Sequence, residues 1–166
     1  MIGLPTDLIA MAERVLSACE ATSTPLALAE SCTGGLVVAS LTTISGSSAW
    51  IDRGFITYSN QAKIDMLGVS EDLIERYGVV SEEVACAMAF GALTHSRARA
   101  SVAITGIAGP TGETPGKPVG LVHIAAAHHG RETLHQRLLL DGDRNHVRHA
   151  AALAAMELLV RRIESR

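Results

Sequence analysis

A serine and a cysteine lie in a glycine-rich turn near the start of the chain, Ser31-Cys32-Thr33-Gly34-Gly35. The residues before the turn predict a short buried strand over 26–29, and those after it predict a helix over 36–44. A hydroxyl or thiol at such a strand-to-helix turn can act as a nucleophile. Unpaired N–H groups at the start of the helix can bind an anion or a developing oxyanion. Two hypotheses stay open for the turn: a nucleophilic site, or a plain helix cap by Ser31 or Thr33.

Cys32 is a second candidate nucleophile in the same turn. A helix N-terminus lowers the pKa of a thiol and so favours the reactive thiolate. A lone cysteine in an apolar turn is also typical of a buried core residue, and no histidine is obviously placed beside it as a base. Taken alone, Lys63 is typical of a surface lysine and Tyr58 of an aromatic residue in a strand.

Metal and dinucleotide chemistry have little support in the sequence. The HExxH and GxGxxG motifs are absent. His146 and His149 lie three residues apart on a predicted helix, but no cysteine or carboxylate cluster accompanies them at the spacing that a metal site needs. We therefore expect neither a metal nor a cofactor.

Length, composition and charge exclude several classes of protein. The 166 residues suit one domain, and 48% apolar against 19% charged residues exclude disorder as the main state. A net charge of −3 and the lack of a basic patch with interleaved aromatic residues argue against nucleic-acid binding. No apolar run reaches the ~18 residues of a membrane span. Three cysteines without a CxxC pair favour a reducing cytoplasm.

The order of the predicted elements is typical of an α/β protein. A first helix over 6–21, capped by Thr6 or Asp7, precedes the strand over 26–29. The other predicted elements are strands over 50–58 and 100–105, helices capped by Ser59, Ser70 and Ser81, a glycine-rich loop over 106–120, a hairpin of 119–128 with 131–140, and a helix from Asp143 to about Glu164. The many apolar faces of this last helix indicate deep packing or a homo-oligomer interface.

Segments along nearly the whole chain resemble the CinA C-terminal domain family, and they occur in the family's order. The segments are Ala29–Gly35, Gly46–Ala49, Arg53–Lys63, Gly78–Ala85, Thr105–Pro110, Lys117–Gly120 and Gly142–Arg144. The resemblance implies a three-layer α/β/α fold with a mixed, mostly parallel sheet, formed by residues 1–166 as a single domain. The hairpin agrees with it, because it must place an antiparallel strand in the sheet.

The resemblance also implies an activity. A domain of this kind hydrolyses the carboxamide of nicotinamide mononucleotide and yields nicotinic acid mononucleotide and ammonia. The family's serine, lysine and tyrosine fall on Ser31, Lys63 and Tyr58. In the implied mechanism Ser31 attacks the amide, neutral Lys63 takes the hydroxyl proton, and Tyr58 relays that proton or holds the lysine.

Substrate-binding roles follow from this mechanism. Backbone N–H groups are expected to bind the oxyanion, and either a glycine-rich turn or an arginine at a helix start is expected to bind the phosphate. The candidates are Thr33, Gly34 and Gly35 for the oxyanion, Thr105, Gly106 and Arg144 for the phosphate, and Arg53 and Asn60 as further pocket residues.

Two other hypotheses remain. In one, Cys32 replaces Ser31 as the nucleophile. In the other, the domain is a non-catalytic nucleotide-binding or interaction module of the competence- and damage-inducible CinA type. The complete set of Ser31, Tyr58 and Lys63 argues against a module, because binding alone needs no nucleophile and base. The expected partners are the small-molecule substrate and further copies of the chain, with no nucleic acid and no membrane.

Overall fold

The computed structural model describes residues 3–165, and the ends of the domain predicted over 1–166 lie outside them. The elements follow one another as α1 (Thr6–Thr22), β1 (Leu26–Glu30), α2 (Leu36–Thr42), β2 (Ile51–Ile56), α3 (Asn60–Leu67), α4 (Glu71–Tyr77), α5 (Glu82–Thr94), β3 (Ala100–Gly106), β4 (Leu121–His128), β5 (Arg131–Leu139) and α6 (Arg144–Glu164), with a 3-10 turn at Ser47–Ala49.

The strands form one mixed sheet in the order β2-β1-β3-β4-β5. β1 is parallel to β2 and to β3, whereas β4 is antiparallel to both β3 and β5. Within the described residues, β4 is therefore the strand that runs against the other four. The mixed, mostly parallel sheet that the family resemblance predicts is confirmed.

Helices cover both faces of the sheet, because alternate residues of the central strands point to opposite sides. Leu26 and Leu28 of β1 pack with α1, α2 and α6 in one core, while Ala27 and Ala29 pack with α5 in the other. The side facing α5 carries mainly alanine, also from β3 and β4, so that helix approaches the sheet closely. Ser101 of β3 donates a hydrogen bond to a main-chain carbonyl of α5 at 2.7 Å.

The segment between β3 and β4 is a loop whose two ends are hydrogen-bonded to each other. The Ile107 N–H donates to the Leu121 carbonyl at 2.9 Å, and the Gly120 N–H donates to the Ile107 carbonyl at 2.8 Å. The antiparallel pairing of β3 with β4 makes this possible, because it returns the chain to the edge of the sheet that it has just left.

Most helix starts agree with the sequence predictions. Ser59, Ser70, Ser81 and Asp143 each accept a backbone N–H as the N-cap of the helix that follows. The prediction that Thr6 or Asp7 caps α1 is wrong. Pro5 occupies that N-cap, and no side chain caps the helix. Proline is tolerated at this position, because the N–H that it lacks would have no partner within the helix.

The last helix is deeply packed. Ala151, Ala152 and Ala155 are fully buried in the core of this chain, whereas Ala150 and Ala154 are half-buried. His146 and His149 each contact a different carboxylate, Asp143 and Asp7. Across residues 3–165, no helix has the length and apolar character needed to cross a membrane.

Candidate active site

The candidate site lies at the carboxyl edge of the sheet, where β1, β2 and β3 end side by side. Ser31 follows β1 directly, and its N–H donates to the carbonyl of Ile104 in β3 at 3.1 Å. On the other side, the Thr57 N–H, just after β2, donates to the carbonyl of Glu30 at 2.8 Å. The ends of parallel strands are the usual ligand-binding edge of an open α/β sheet.

Lys63 reaches Ser31 from the second turn of α3. Its Nζ lies 3.0 Å from Oγ of Ser31 and donates to the carbonyls of Thr57 at 2.7 Å and Ser59 at 3.5 Å. Ser59 also caps this helix through its side chain. The residues before α3 thus position the lysine, and two side chains that are 32 residues apart in sequence come within hydrogen-bond distance.

The environment of Lys63 favours its neutral form. The side chain is 1% exposed, and desolvation lowers the pKa of Lys63 to about 8. None of the ion pairs formed by described residues includes it. A lysine of this kind is a competent base near neutral pH, because a useful fraction of it is unprotonated there.

Cys32 lies beside this pair, and burial favours the neutral form of its thiol as it does that of the lysine. Burial raises the pKa of its thiol to about 11, so the thiolate that a cysteine nucleophile requires is scarce at neutral pH. The nearby Glu30 also raises this pKa. The environment therefore favours Ser31 over Cys32 as the nucleophile.

Glu30 binds the start of α2, a role that sequence analysis did not predict. Its carboxylate is 1% exposed and accepts the N–H groups of Gly35, Val37 and Val38 at 3.0, 3.2 and 2.8 Å. A negative charge at this end of a helix is favourable, because it accepts hydrogen bonds from unpaired amides and is attracted to the positive end of the helix dipole. The anion-binding capacity of this helix start is thus used within the protein.

The backbone of the turn is held by similar internal bonds. The Gly34 N–H donates to the Ser31 carbonyl at 3.0 Å, and Arg148 of α6 donates to the Thr33 carbonyl at 2.9 Å. The amides of Gly34 and Gly35 therefore already have acceptors. Among the described residues, the Thr33 N–H has none.

A cavity of about 600 Å³ opens in front of the Ser31–Lys63 pair, a size typical of small-molecule sites. Thr33, Gly34 and Gly35 do not line it, and neither does Arg53, which bonds to Asp52 and to the carbonyl of His95. The lining residues are Ser31, Cys32, Tyr58, Asn60, Lys63, Arg76, Tyr77, Gly78, Val79, Val80, Thr105, Gly106, Ile107, Ala108, Gly109, Thr111, Gly112, Thr114, Lys117 and Arg144.

Tyr58 and Arg144 form a bridge at the rim of this cavity. Arg144 donates to the Tyr58 hydroxyl and to the Gly109 carbonyl, each at 2.7 Å. Tyr58 is 59% exposed, and within the described residues it makes no hydrogen bond to Lys63. The structure brings Tyr58 to the same cavity as the serine and lysine, while its hydroxyl contacts the arginine.

The residues predicted to bind the substrate phosphate also line the cavity. Thr105 lines it, but its hydroxyl donates to the Val79 carbonyl at 2.8 Å. A side chain at Gly106 would come within 2.8 Å of Val122 and 3.1 Å of the Cys32 sulfur, so glycine is needed there for packing. Among residues 3–165, no group of three His, Cys, Asp or Glu is arranged to hold a metal ion.

Comparison with known proteins identifies the family. The family model described as the CinA C-terminal domain matches residues 8–163. The chain belongs to the CinA C-terminal domain family. It is 46% identical over 154 residues to the nicotinamide-nucleotide amidohydrolase PncC of Escherichia coli (strain K12), and the match covers 93% of each protein.

Other relatives carry CinA names. A putative competence-damage inducible protein of Symbiobacterium thermophilum is 49% identical over 144 residues, covering 82% of this chain and 34% of that longer protein. Among solved structures, the competence/damage inducible protein CihA of Agrobacterium tumefaciens superposes with a TM-score of 0.94 at 43% identity, covering 99% of this chain and all of that one. The CinA C-terminal domain thus occurs both alone and as part of longer chains.

Proposed function

We propose that the protein hydrolyses the carboxamide of nicotinamide mononucleotide to nicotinic acid mononucleotide and ammonia. The observation that carries the proposal is the buried pair of Ser31 and Lys63, whose Oγ and Nζ are 3.0 Å apart at the base of a cavity. The similarity to the PncC proteins, which are named nicotinamide-nucleotide amidohydrolases, supports this substrate.

The reaction proceeds by acyl transfer. Oγ of Ser31 attacks the carboxamide carbon while its proton moves to neutral Lys63. Lys63 returns the proton to the amide nitrogen, which leaves as ammonia when the tetrahedral intermediate collapses to an ester of Ser31. Water then attacks the ester and gives its proton to Lys63. Collapse of the second intermediate releases the carboxylic acid, and Ser31 recovers its proton. The cationic pyridinium of the substrate helps keep Lys63 neutral.

The oxyanion needs backbone donors that are not already bonded. The amides of Gly34 and Gly35 have internal acceptors, and Thr33 does not line the cavity. We therefore propose the N–H of Cys32, which does line it, because the residue after a nucleophile supplies this donor at comparable strand-to-helix turns. One such donor typically contributes ~3 kcal/mol to transition-state stabilisation.

The remaining roles belong to the rim of the cavity. Arg144 is proposed to bind the substrate phosphate, supported by the backbone around Thr105 and Gly106. Tyr58 is proposed to contact the substrate from its place beside Arg144.

We also propose that the protein acts in pyridine-nucleotide salvage in the cytoplasm, and its free cysteines are consistent with a reducing compartment. That it acts as a homo-oligomer stays a prediction.

Ammonia release from nicotinamide mononucleotide tests the proposal, with wild type, Ser31→Ala and Cys32→Ala assayed side by side. We expect Ser31→Ala to lose at least ~10³-fold in kcat. Cys32→Ala, one residue away in the same turn, is the matched control and should stay within about tenfold of wild type, because it removes a thiol that is protonated at neutral pH.

Full activity of Ser31→Ala together with loss in Cys32→Ala would transfer the nucleophile to the cysteine. If wild type binds the nucleotide and releases no ammonia, the domain is a nucleotide-binding module instead. Circular dichroism of each variant verifies that a loss of activity is not a loss of fold.

A further inference from the structure

The charged side chains that line the cavity are all basic. Four of the described side chains that line it are basic, Lys63, Arg76, Lys117 and Arg144, and no Asp or Glu of residues 3–165 lines it, although the chain carries a net charge of −3. Lys63 and Lys117 are the only lysines in the sequence. Both lysines of the protein therefore lie in this one cavity, and an anionic ligand is favoured there.

The basic residues differ in how their charge is compensated. Arg76 pairs with Asp72 at 3.0 Å. Lys117 instead donates to the main-chain carbonyl of Tyr77, and within residues 3–165 it has no carboxylate partner. A phosphate oxygen is a stronger acceptor for an ammonium group than a carbonyl is, because the hydrogen bond is then charge-assisted at both ends.

Two parts of the backbone, the turn that precedes Lys117 and the glycine that faces its Nζ, allow the ammonium group to reach the cavity. Thr114 and Lys117 exchange two backbone hydrogen bonds, at 3.1 and 2.9 Å. Pro115 and Gly116 (φ +79°) lie between them, and these are the residue types that a type II turn requires. Across the cavity, a Cβ on Gly78 would lie 2.4 Å from Nζ of Lys117, so the glycine leaves the space that the lysine occupies.

Lys117 complements Arg144, the arginine already proposed to bind phosphate. Arg144 donates to Tyr58 and to Gly109, and because a guanidinium has five N–H donors it keeps donors for a ligand as well. Lys117 makes a single side-chain hydrogen bond within the described residues, and an ammonium group has three donors. Two N–H donors of Lys117 are thus available to a ligand without breaking any contact.

We infer that Lys117 binds the phosphate group of the substrate together with Arg144 and contributes to the selection of a nucleotide over the corresponding nucleoside. This inference rests on the proposed function, which supplies the phosphate. Lys117 takes no part in bond breaking. It holds the end of the substrate that lies away from the amide, and the loop between β3 and β4 carries it.

The test measures binding without turnover, in the Ser31→Ala background. Calorimetry compares nicotinamide mononucleotide with nicotinamide riboside, which lacks the phosphate, for proteins with and without Lys117→Met. We expect the substitution to weaken binding of the nucleotide by about 10- to 100-fold and to change binding of the riboside by less than about threefold. Arg99→Met is the matched control, because it removes one exposed basic residue at the opposite edge of the sheet.

An equal loss for both ligands would overturn the inference, since it would show a structural role for Lys117. An unchanged affinity for the nucleotide would overturn it as well. If Arg99→Met weakens nucleotide binding as much as Lys117→Met, the effect is one of net charge and the inference also fails.

A second titration separates this inference from the proposed function. With ¹³Cε-labelled lysine, the protein gives two lysine signals, and the one absent from Lys117→Met belongs to Lys117. If the Ser31→Ala protein binds neither pyridine compound, the proposed function is overturned, and inorganic phosphate then decides on Lys117 alone. A saturable shift of the Lys117 signal supports an anion site there, and an unmoved signal refutes it.

Discussion

Lys63 combines two properties that are rarely found together in a lysine. It is almost fully buried, and among the described residues it has no carboxylate partner. Its contacts are a hydroxyl and two main-chain carbonyls, so hydrogen bonds but no opposite charge among the described residues offset the cost of removing its charge from water. The desolvation that makes Lys63 costly for stability also lowers its pKa, as the proposed role of base requires.

The first prediction concerns the pH dependence of activity. With the pKa of Lys63 at about 8, kcat/KM for nicotinamide mononucleotide should rise about tenfold from about pH 7 to about pH 9.5 and then level off, because neutral Lys63 is the active form. The substrate phosphate, with a pKa near ~6, does not titrate in this range. The ¹³Cε signal of Lys63 should titrate at the same midpoint. A flat rate profile, or a Lys63 signal that titrates near ~10.4, would refute its role as the base.

Glu30 shows where reading residues one at a time is insufficient. The chain places the carboxylate next to the nucleophile, and sequence alone does not tell whether it points to the cavity or away from it. In the structure it turns toward the start of α2 and accepts three amides. The N–H of Gly35, predicted as an oxyanion donor, is therefore hydrogen-bonded to the carboxylate of Glu30.

At the scale of elements, α3 is the short helix that carries Lys63, the proposed base. Its first turn is fixed by Ser59, whose hydroxyl accepts the Ala62 N–H at 3.0 Å. The next helix, α4, begins in the same way, with Ser70 accepting the Leu73 N–H at 3.1 Å. The two caps are chemically equivalent, but only α3 carries a residue of the nucleophile–base pair.

This equivalence gives a matched pair of variants. Ser59→Ala and Ser70→Ala should each lower the free energy of unfolding by ~1 kcal/mol, the usual effect of removing such a cap. Only Ser59→Ala should also lower kcat, by about 3- to 10-fold, because a small displacement of a catalytic group has a large effect on rate. Urea denaturation and steady-state kinetics provide the two measurements. Equal kcat values for both variants would show that the cap of α3 does not position Lys63.

The helix caps also show which parts of the structure are local enough to predict. A serine or aspartate before an apolar run specifies a helix start within a few residues, and this held for α3, α4, α5 and α6. The approach of Lys63 to Ser31 depends on how β1, β2 and β3 pair. That pairing joins distant segments, so residue spacing along the chain does not determine it.

At the scale of the whole molecule, Lys63 makes stability depend on pH. Its folded pKa of about 8 lies below its ordinary value of 10.5, so between these values the unfolded chain binds more protons than the folded protein. The contribution of Lys63 to the free energy of unfolding therefore rises as pH increases from about 8 to about 10.5, by about 3 kcal/mol. Below about pH 8 the cost of burying the amine is fully present.

Lys63→Met removes this dependence while keeping a side chain of similar volume. We expect the difference in unfolding free energy between wild type and Lys63→Met to shift by about 3 kcal/mol in favour of wild type between about pH 7 and about pH 10.5. Urea denaturation at the two pH values measures it, and comparing the variant with wild type cancels the titration of all other groups. A constant difference would mean that the amine is not desolvated in the folded protein.

The loop between β3 and β4 begins and ends at neighbouring positions on the sheet, while Ser31 and Lys63 belong to other elements. The residues proposed to cleave the amide and the lysine proposed to bind the far end of the ligand are thus carried by separate parts of the chain. Insertions or deletions in the loop can change which compounds fit without moving the reacting atoms. The fold therefore allows substrate range to diverge among descendants of one ancestral hydrolase while the chemical step is inherited unchanged.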